Sequence, residues 1–345
     1  MFYCGMDIAS KSSYLYVTTQ SGRKLMSGEV DTAREAFEHR LQRYVKDGLT
    51  IAIEAGNQTA WIYDTLVAMG AKVIVVNPTK VKLIAESRRK TDKIDAKILC
   101  ELLRINALPH PVHMPGKPAR KLRGLLVARR QLISARTKLC NVVRGMVRQE
   151  GTLLPARALS TLTGWKDLLG KGFGQPHLAV IVTAYFDTFK ALTTSIHGLD
   201  RELAACERQD PRAARLQTMP KVGRIAALTF LAAVDDPKRF PSARKLVGYS
   251  GLAPTVRSSG ERTEYGSISR EGRRELRAVW VQVAHLVAMD TSKATQPLRT
   301  WFNRTARRRG KKTALVALAR RLLVIAYHLL CDETVYDPAR LRRAG

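Results

Sequence analysis

The stretch LTIAIEA, residues 49–55, decides how the N-terminal part of the chain folds. It is an almost continuous apolar run, which is typical of a strand that is covered on both faces of a sheet. A helical pattern precedes it at residues 31–48, and a second helical pattern follows at 59–70. Another apolar run at residues 71–77 repeats the strand pattern. We therefore expect strands and helices to alternate, with helices against the sheet.

Three shorter runs with β-branched and aromatic residues precede this stretch. They are FYCGMDI at residues 2–8, SSYLYVTT at 12–19 and KLMSGEV at 24–30. A third helical pattern, DKIDAKILCELLR, covers residues 92–104. Together these patterns predict an α/β domain with a mixed sheet and outer helices that cover it.

The composition is strongly basic. The chain of 345 residues carries 59 Lys and Arg against 29 Asp and Glu, a formal net charge of +30, and 45% of its residues are hydrophobic. That hydrophobic content excludes a wholly disordered chain. The charge predicts nucleic acid as a partner, ahead of an anionic membrane surface, because cationic side chains release counterions from phosphates. No apolar run approaches the roughly 18 residues of a membrane span and no signal-peptide pattern is present, so we expect no membrane partner.

The five cysteines are scattered and form no CxxC pair. This spacing argues against a zinc site and against a disulfide scaffold. It favours a protein of the reducing cytoplasm.

The middle of the chain is predicted to be helical. Prolines between Pro109 and Pro118 mark a linker, and a basic helical pattern covers residues 117–150. Farther along, apolar residues alternate at spacings of three and four, namely Val182, Tyr185, Phe189, Leu192, Ile196, Leu199, Leu203 and Cys206. This heptad pattern predicts a coiled coil. The alternative is a buried helix that packs within one chain.

The C-terminal part is mixed and basic. Residues 244–269 are rich in Gly and Ser and are expected to form an ordered loop, and helices are expected near 271–289 and 313–330. A dense cationic cluster precedes the last helix, namely Arg304, Arg307, Arg308, Arg309, Lys311 and Lys312. We expect this cluster to contact phosphates, the alternative being a solvated face.

Four carboxylates fall at the ends of predicted elements. Asp7 and Glu54 end two strands, while Asp92 and Asp95 open a helix and face the same way. Four convergent carboxylates repel one another unless divalent cations neutralise them, and hard oxygen ligands select Mg²⁺ or Mn²⁺. Two such ions can support phosphodiester chemistry. The plainer alternatives are ion pairs at strand ends, and a helix whose N-cap is Asp92 and whose dipole favours Asp95.

The order of these motifs resembles the "one-ten" insertion-sequence transposases, which are relatives of the Piv and MooV DNA invertases and include bridge-RNA-guided recombinases. The N-terminal motifs that carry the resemblance are Gly5–Ala9, Ile53–Gly56, Asn77-Pro78 and Lys90–Ala96. The C-terminal motifs are Gly248–Pro254, Ser258–Gly260 and Tyr265–Gly272. The similarity covers most of the chain outside its middle part.

The resemblance implies an N-terminal domain with a RuvC-like, ribonuclease-H-type fold. The metal-binding tetrad of the family would fall on Asp7, Glu54, Asp92 and Asp95. It further implies that Ser259 is a nucleophile that forms a covalent protein–DNA intermediate, with the adjacent Ser258 as the alternative hydroxyl. The implied domains are a metal-binding domain at 1–112, a helical coiled-coil region at 113–210 and a mostly helical transposase domain at 211–345.

The resemblance also implies partners and an assembly. The partners would be double-stranded donor and target DNA and a noncoding guide RNA. The chain would form homodimers that assemble into tetramers, in which the carboxylates of one subunit meet the serine of another. The place of action would be the bacterial cytoplasm, at the nucleoid.

Several functions are compatible with the sequence. The first is a DNA recombinase or transposase that uses metals and Ser259, with or without a guide RNA. The second is a RuvC-like nuclease in which Ser259 has no role. The third is a nucleic-acid-binding protein without activity, which the intact acidic quartet argues against.

Overall fold

The computed structural model describes residues 1–84, 91–259 and 262–339. Contacts between residues divide the chain into two compact units, Met1–Met114 and Pro115–Gly345. The first unit contains a five-stranded sheet, and the second is mostly helical. The predicted combination of an α/β part and a helical part is therefore confirmed.

The sheet of the first unit has the strand order β3-β2-β1-β4-β5. The strands are β1 (Phe2–Ile8), β2 (Ser12–Thr19), β3 (Lys24–Asp31), β4 (Leu49–Glu54) and β5 (Lys72–Val76). Strands β1, β2 and β3 pair antiparallel, whereas β4 is parallel to both β1 and β5. The sheet is thus mixed, as its sequence predicts.

Helices cover this sheet. They are α1 (Arg34–Val45), α2 (Thr59–Ala68), α3 (Pro78–Ile84) and α4 (Asp92–Arg104). Helix α1 buries Phe37 and Leu41 in one core with Ile51 and Ile53 of β4. Helix α4 belongs to another core, in which Leu99 lies with Ala52 and Val76. The short helix α3 was not predicted; it begins at Pro78, where the Asn77 side chain accepts a hydrogen bond from the Thr79 amide at 2.9 Å.

The second unit contains nine α-helices, two short 3₁₀ helices and one β-hairpin within its described residues. The helices are α5 (Lys117–Gln149), α6 (Leu162–Gly170), α7 (Pro176–Gln209), α8 (Pro211–Gln217), α9 (Arg224–Val234), α10 (Ala243–Tyr249), α11 (Arg274–Met289), α12 (Gln296–Arg309) and α13 (Lys311–Cys331). Helix α9 is buried from Ala226 to Val234 and lies in the core of this unit with α11 and α13.

The heptad pattern lies on α7 and packs against α5 of the same chain. Its positions Val182, Phe189, Ile196 and Leu203 are buried, and the intervening positions are half-buried. An ion pair at 2.6 Å between Arg129 and Asp200 also joins the two helices. The buried half of the seam is therefore used within the chain, and self-association through α7 stays a prediction.

The Gly- and Ser-rich stretch is more regular than the expected loop. It forms helix α10 and a hairpin of β6 (Pro254–Ser259) and β7 (Arg262–Ile268), which pair antiparallel. The loop prediction was wrong because Gly and Ser are typical of turns, whereas Gly266 lies inside a strand. A Cβ at Gly266 would lie 2.5 Å from the Thr255 hydroxyl oxygen, so a side chain there would displace the Thr255 side chain of the paired strand.

Helix α13 is the one helix of the described residues that is long and apolar enough, by length and composition, to cross a membrane. The sequence shows no apolar run of this length, because Arg320 and Arg321 interrupt it. Residues from Leu318 to Leu330 on its buried side belong to the core of the second unit. A core helix of this kind meets the same length and composition test.

Candidate functional site

Asp7 and Glu54 lie side by side at the carboxyl ends of two parallel strands. The register pairs Gly5 with Ala52 and Met6 with Ile53. Asp7 and Glu54 are the next residues on β1 and β4, two positions beyond Gly5 and Ala52. Because side chains alternate along a strand, Asp7 lies on the face of Gly5, and Glu54 lies on the face of Ala52. The two carboxylate positions therefore share one face and one end of the sheet.

Helix α4 crosses that face at unusually short range. A Cβ atom at Gly5 would lie 2.0 Å from the Ala96 carbonyl oxygen and 2.5 Å from the Cys100 amide nitrogen. The Cys100 thiol also donates a hydrogen bond to the Tyr3 carbonyl oxygen at 3.3 Å. Tyr3 thus lies beside Cys100, and Gly5 beside both Ala96 and Cys100, so α4 runs antiparallel to β1. Its N-terminus points toward the carboxyl end of β1.

This direction brings the two aspartates of α4 to the same end of the sheet. Asp92 lies one turn before Ala96, and Asp95 lies one turn before Leu99, on the helix face that packs against Gly5. One helical turn and two strand residues both advance by roughly 6 Å. Asp92 and Asp95 therefore lie near the level of Asp7. Sequence spacing suggested this convergence, but the glycine that permits it was not singled out.

Helix α4 begins with a cap that is not an aspartate. Thr91 is the N-cap, and its hydroxyl oxygen accepts a hydrogen bond from the Ile94 amide at 3.3 Å. The alternative in which Asp92 is the N-cap is therefore wrong. Asp92 and Asp95 both lie in the first turn, where the helix dipole favours negative charge.

The loop after β4 is fixed by a buried threonine. The Thr59 hydroxyl donates to the Glu54 carbonyl oxygen at 3.0 Å and accepts from the Gly56 amide at 2.6 Å. The Gln58 side chain donates to the Ser10 carbonyl oxygen at 3.3 Å, which joins the loops after β1 and β4. These bonds fix the main chain from the Glu54 carbonyl to the start of α2.

The acidic positions differ in exposure. Asp92 is exposed, whereas Asp7, Glu54 and Asp95 are half-buried. Within the described ranges, no group of three or more His, Cys, Asp or Glu side chains is arranged so that it could hold a metal ion. The four positions therefore share one end of the sheet, but their side chains are not gathered into a ligand set.

Two buried thiols, one on β1 and one on α4, are unsuited to metal binding. Cys4 is fully buried, and burial raises the pKa of its thiol strongly. Burial also raises the pKa of Cys100, whose sulfur lies 3.3 Å from the Thr18 hydroxyl. Both remain protonated at neutral pH, whereas a thiol must lose its proton to ligate a metal.

Ser259 is the last residue of β6. In the hairpin register it pairs with Arg262, and Ser258 pairs with Thr263. The side chains of Ser258 and Ser259, and the whole of Gly260, lie outside what the structure describes. The backbone places the predicted nucleophile at the turn end of the hairpin.

The cationic cluster spans the end of α12 and the start of α13, and all six of its side chains are exposed. The sequence contains no Asp or Glu between residues 291 and 331. The excess positive charge affects a neighbour on α13: burial first, and then the charge of Arg304, lower the pKa of Arg321. The Arg321 guanidinium lies 5.0 Å from the ring centre of Trp301.

Two family models match the chain. Residues 4–151 match an IS110 DEDD model described as "Transposase", and residues 213–299 match "Transposase IS116/IS110/IS902 family". The first range contains all four acidic positions, and the second contains the β6–β7 hairpin.

Curated relatives agree with these models along most of their length. A "Probable family 20 transposase" of Pseudomonas aeruginosa is 27% identical over 293 residues, which cover 84% of this chain and 86% of the relative. A "Transposase for insertion sequence element IS1111A" of Coxiella burnetii is 26% identical over 96% of this chain and 90% of its own. A "Transposase for insertion sequence element IS1328" of Yersinia enterocolitica is 24% identical over 96% and 98%. With two models and full-length relatives in agreement, the chain belongs to the IS110/IS116/IS902 family of insertion-sequence transposases, DNA-cleaving and recombining enzymes.

Proposed function

We propose that this transposase cleaves and rejoins DNA with two sets of groups, a divalent-metal site at the sheet edge and a serine on the hairpin. The observation that carries the proposal is the convergence of Asp7, Glu54, Asp92 and Asp95 on one end of one sheet face. Asp7 and Glu54 come from two neighbouring strands, Asp92 and Asp95 come from the first turn of α4, and three of the four are half-buried. Four carboxylates placed at one end of a sheet face can supply the hard oxygen ligands of a divalent cation.

The fold type proposed for the first unit is RuvC-like, of the ribonuclease-H type. The support is the mixed sheet, with three antiparallel strands followed by two parallel strands that are joined through helices. In such a sheet the carboxyl ends of the two central parallel strands form the natural place for a site.

Membership of a DEDD-type transposase family implies a divalent-metal requirement, and we propose Mg²⁺ or Mn²⁺ as the ion. Four carboxylates supply only hard oxygen donors, which suit these two ions and not a soft one. The bound ion supplies charge neutralisation at the scissile phosphate and polarises an attacking or leaving oxygen. Since the described side chains are not gathered into a ligand set, the carboxylates would have to rotate toward one another to hold such an ion. The backbone at Glu54 and Gly5 is already fixed.

The proposed covalent step uses the Ser259 hydroxyl. A bond forms between its Oγ atom and the phosphorus, and the bond between that phosphorus and one sugar oxygen of the strand breaks. The hydroxyl proton leaves to a basic group or to solvent, and the released sugar oxygen takes up a proton. The phosphoserine link retains the phosphodiester, so a second strand end can attack it and release the serine.

The cationic cluster of α12 and α13 is proposed to contact the phosphate backbone of DNA. Six exposed cations without an acidic residue on either helix leave their charge uncompensated within this stretch. Such contacts position a protein on DNA but do not read its sequence.

We propose that the choice of DNA sequence comes from a noncoding guide RNA. We further propose that dimers assemble into tetramers and thereby bring the carboxylates and the serine together. The proposed place of action is the bacterial cytoplasm, at the nucleoid.

The test of the metal site uses Asp7→Asn and Glu54→Gln, each of which removes a charge and keeps the side-chain size. The matched control is Glu38→Gln on α1, an exposed residue of the same unit. The substrate is a labelled duplex that joins the two ends of the encoding element, with the RNA that copurifies with the chain. We expect both site variants to lose cleavage while they retain DNA binding. Normal cleavage by the folded double variant would overturn the metal proposal.

The test of the serine compares Ser259→Ala with Ser258→Ala. We expect Ser259→Ala to bind DNA but to form no covalent adduct, and Ser258→Ala to be milder. Denaturing electrophoresis of the quenched reaction, followed by peptide mapping, identifies the linked residue. Cleavage without any adduct would favour a hydrolytic RuvC-like nuclease, and recombination after removal of all RNA would favour an RNA-independent invertase.

A further inference from the structure

The hairpin that carries Ser259 continues into a ladder of main-chain hydrogen bonds below its two strands. The Ser269 amide donates to the Ala253 carbonyl oxygen at 2.8 Å, and the Arg270 amide donates to the Gly251 carbonyl oxygen at 3.2 Å. These bonds join the segment that enters β6 to the segment that leaves β7. An isolated two-stranded hairpin is marginally stable in water, so the position of this one depends on its base.

Two glycines with positive φ let the two segments approach each other. Gly251 has φ +71° and Gly272 has φ +115°, a region that favours glycine. A Cβ at Gly272 would lie 2.2 Å from the Tyr249 carbonyl oxygen, and one at Gly251 would lie 2.4 Å from an Nη atom of Arg277. The base of the hairpin therefore leaves no room for a side chain at either position.

One side chain of α11 bridges both segments. The Arg277 Nη1 atom donates to the Ser250 carbonyl oxygen at 3.2 Å and to the Arg270 carbonyl oxygen at 3.1 Å. Ser250 lies on the segment that enters β6, and Arg270 lies on the segment that leaves β7. Ser250 is itself fully buried, and its hydroxyl donates to the Val247 carbonyl oxygen at 2.7 Å. Arg277 thus connects the base of the hairpin to α11.

A second contact ties the same base to the core of the unit. The Arg273 Nε atom donates to the Tyr249 hydroxyl oxygen at 2.9 Å, and that hydroxyl donates to the Ala233 carbonyl oxygen of α9 at 3.2 Å. Tyr249 is therefore held by Arg273, the residue that precedes α11, and by the buried helix α9. Because Tyr249 precedes β6 and Arg273 follows β7, this contact also joins the two segments, while Arg277 joins them through main-chain acceptors on both.

We propose that Arg277 is a positioning residue for DNA cleavage, which holds the serine-bearing hairpin in one orientation relative to α11. The proposal rests on the proposed role of Ser259 as nucleophile. Both bonds come from the Nη1 atom, whose N–H groups are held in the rigid guanidinium plane, whereas the rotatable lysine ammonium fixes no such geometry. A reacting group that is misplaced by about 1 Å can lose about 100-fold in rate. A hairpin without its bridge would lose rate in this way while the protein still binds DNA.

The test compares Arg277→Gln and Arg277→Lys with the matched control Arg274→Gln. Arg274 is an exposed arginine on the same helix, so the control loses the same charge. The full chain is mixed with the labelled duplex that joins the element ends and with the copurified RNA. The measured quantities are the single-turnover rate of adduct formation at saturating protein and the dissociation constant. We expect the rate to fall at least tenfold in both Arg277 variants, with dissociation constants within about twofold of the control.

Hydrogen exchange of the free chain provides a readout that needs no DNA. We expect amides of residues 253–268 to exchange about tenfold faster in Arg277→Gln than in Arg274→Gln, and amides of α13 to be unchanged. If wild type forms no serine adduct, the serine proposal fails, and the same comparison is made on the rate of strand cleavage. Three results would overturn the role of Arg277: cleavage rates equal to the control, unchanged hairpin exchange, or a loss of α13 protection, which would show a general folding role.

Discussion

The close approach of β1 and α4 at Gly5 yields the sharpest structural prediction. In Gly5→Ala the new methyl group would lie 2.0 Å from the Ala96 carbonyl oxygen and 2.5 Å from the Cys100 amide nitrogen. Both are backbone atoms of α4, so neither can rotate away. Since real contacts to Cβ do not fall below 3.0 Å, helix and strand must separate by about 1 Å.

The size of the effect follows from that separation. Overpacking in a tight core costs about 1–3 kcal/mol in the free energy of unfolding, and we expect the upper end because backbone must move. The same shift carries Asp92 and Asp95 away from Asp7 and Glu54. A displacement of about 1 Å in a catalytic site can cost about 100-fold in rate. We therefore expect a destabilised first unit and a cleavage rate that is lower by roughly that factor.

The control for this variant is Gly28→Ala in β3 of the same sheet. A Cβ at Gly28 would meet no atom within 4 Å, so its stability should be unchanged or slightly higher. Hydrogen exchange of the β1 and β4 amides across a urea series measures the unfolding free energy of the first unit. Equal stability and equal cleavage in the two variants would refute the reasoning that Gly5 sets the position of α4.

Three further predictions concern the second unit. Replacing Arg307–Arg309 with Ala should flatten the dependence of DNA affinity on salt by about 0.9 in log–log slope for each duplex phosphate that these side chains neutralise in wild type, and an unchanged slope would mean a solvated face. Polar substitution of the half-buried Leu192 and Leu199 should give a smaller assembly in light scattering; a monomeric wild type, even with nucleic acid bound, would rule out association through α7. A hydrogen bond from Ser292 contributes most to lowering the pKa of Asp290 to about 2. The ionised Asp290 carboxylate therefore stabilises the fold above about pH 4, and this stabilisation is lost as the pH falls toward 2. In an acid titration, the free energies of unfolding of wild type and Asp290→Asn should therefore differ above about pH 4 and become equal as the pH falls toward 2.

The strands and helices of the first unit were largely predictable from their apolar periodicity. The run at residues 49–55 contains β4, and the sheet is mixed as expected. The order of the strands was not readable, because it depends on which strand pairs beside β1. That pairing is what places Glu54 next to Asp7. The acidic quartet was thus predictable as a set of residues, whereas its convergence required the register and the contact at Gly5.

The second unit was harder to predict because its decisive features depend on contacts that are distant in sequence. The heptad of α7 does form a buried seam, but nothing in the pattern indicates that α5 of the same chain covers it. The β6–β7 hairpin was not predicted because its glycines suggest turns. At Gly272, however, glycine is required by the close approach of the Tyr249 carbonyl oxygen, and at Gly266 a side chain would displace that of Thr255. Such a requirement can be recognised only when the neighbour is known.

The two parts of the proposed site are held in place by different means, so they should fail differently. The carboxylates come from residues 7, 54, 92 and 95, and their convergence depends on the packing of an entire sheet against α4. The serine lies on a short hairpin whose position depends on a few bonds at its base, among them those from Arg277. A change at Gly5 should therefore lower stability and activity together. A change at Arg277 should lower the rate of the chemical step while the cores of both units remain folded. Comparing variants at Gly5 and Arg277 therefore distinguishes a loss of activity that comes from unfolding from one that comes from a misplaced serine.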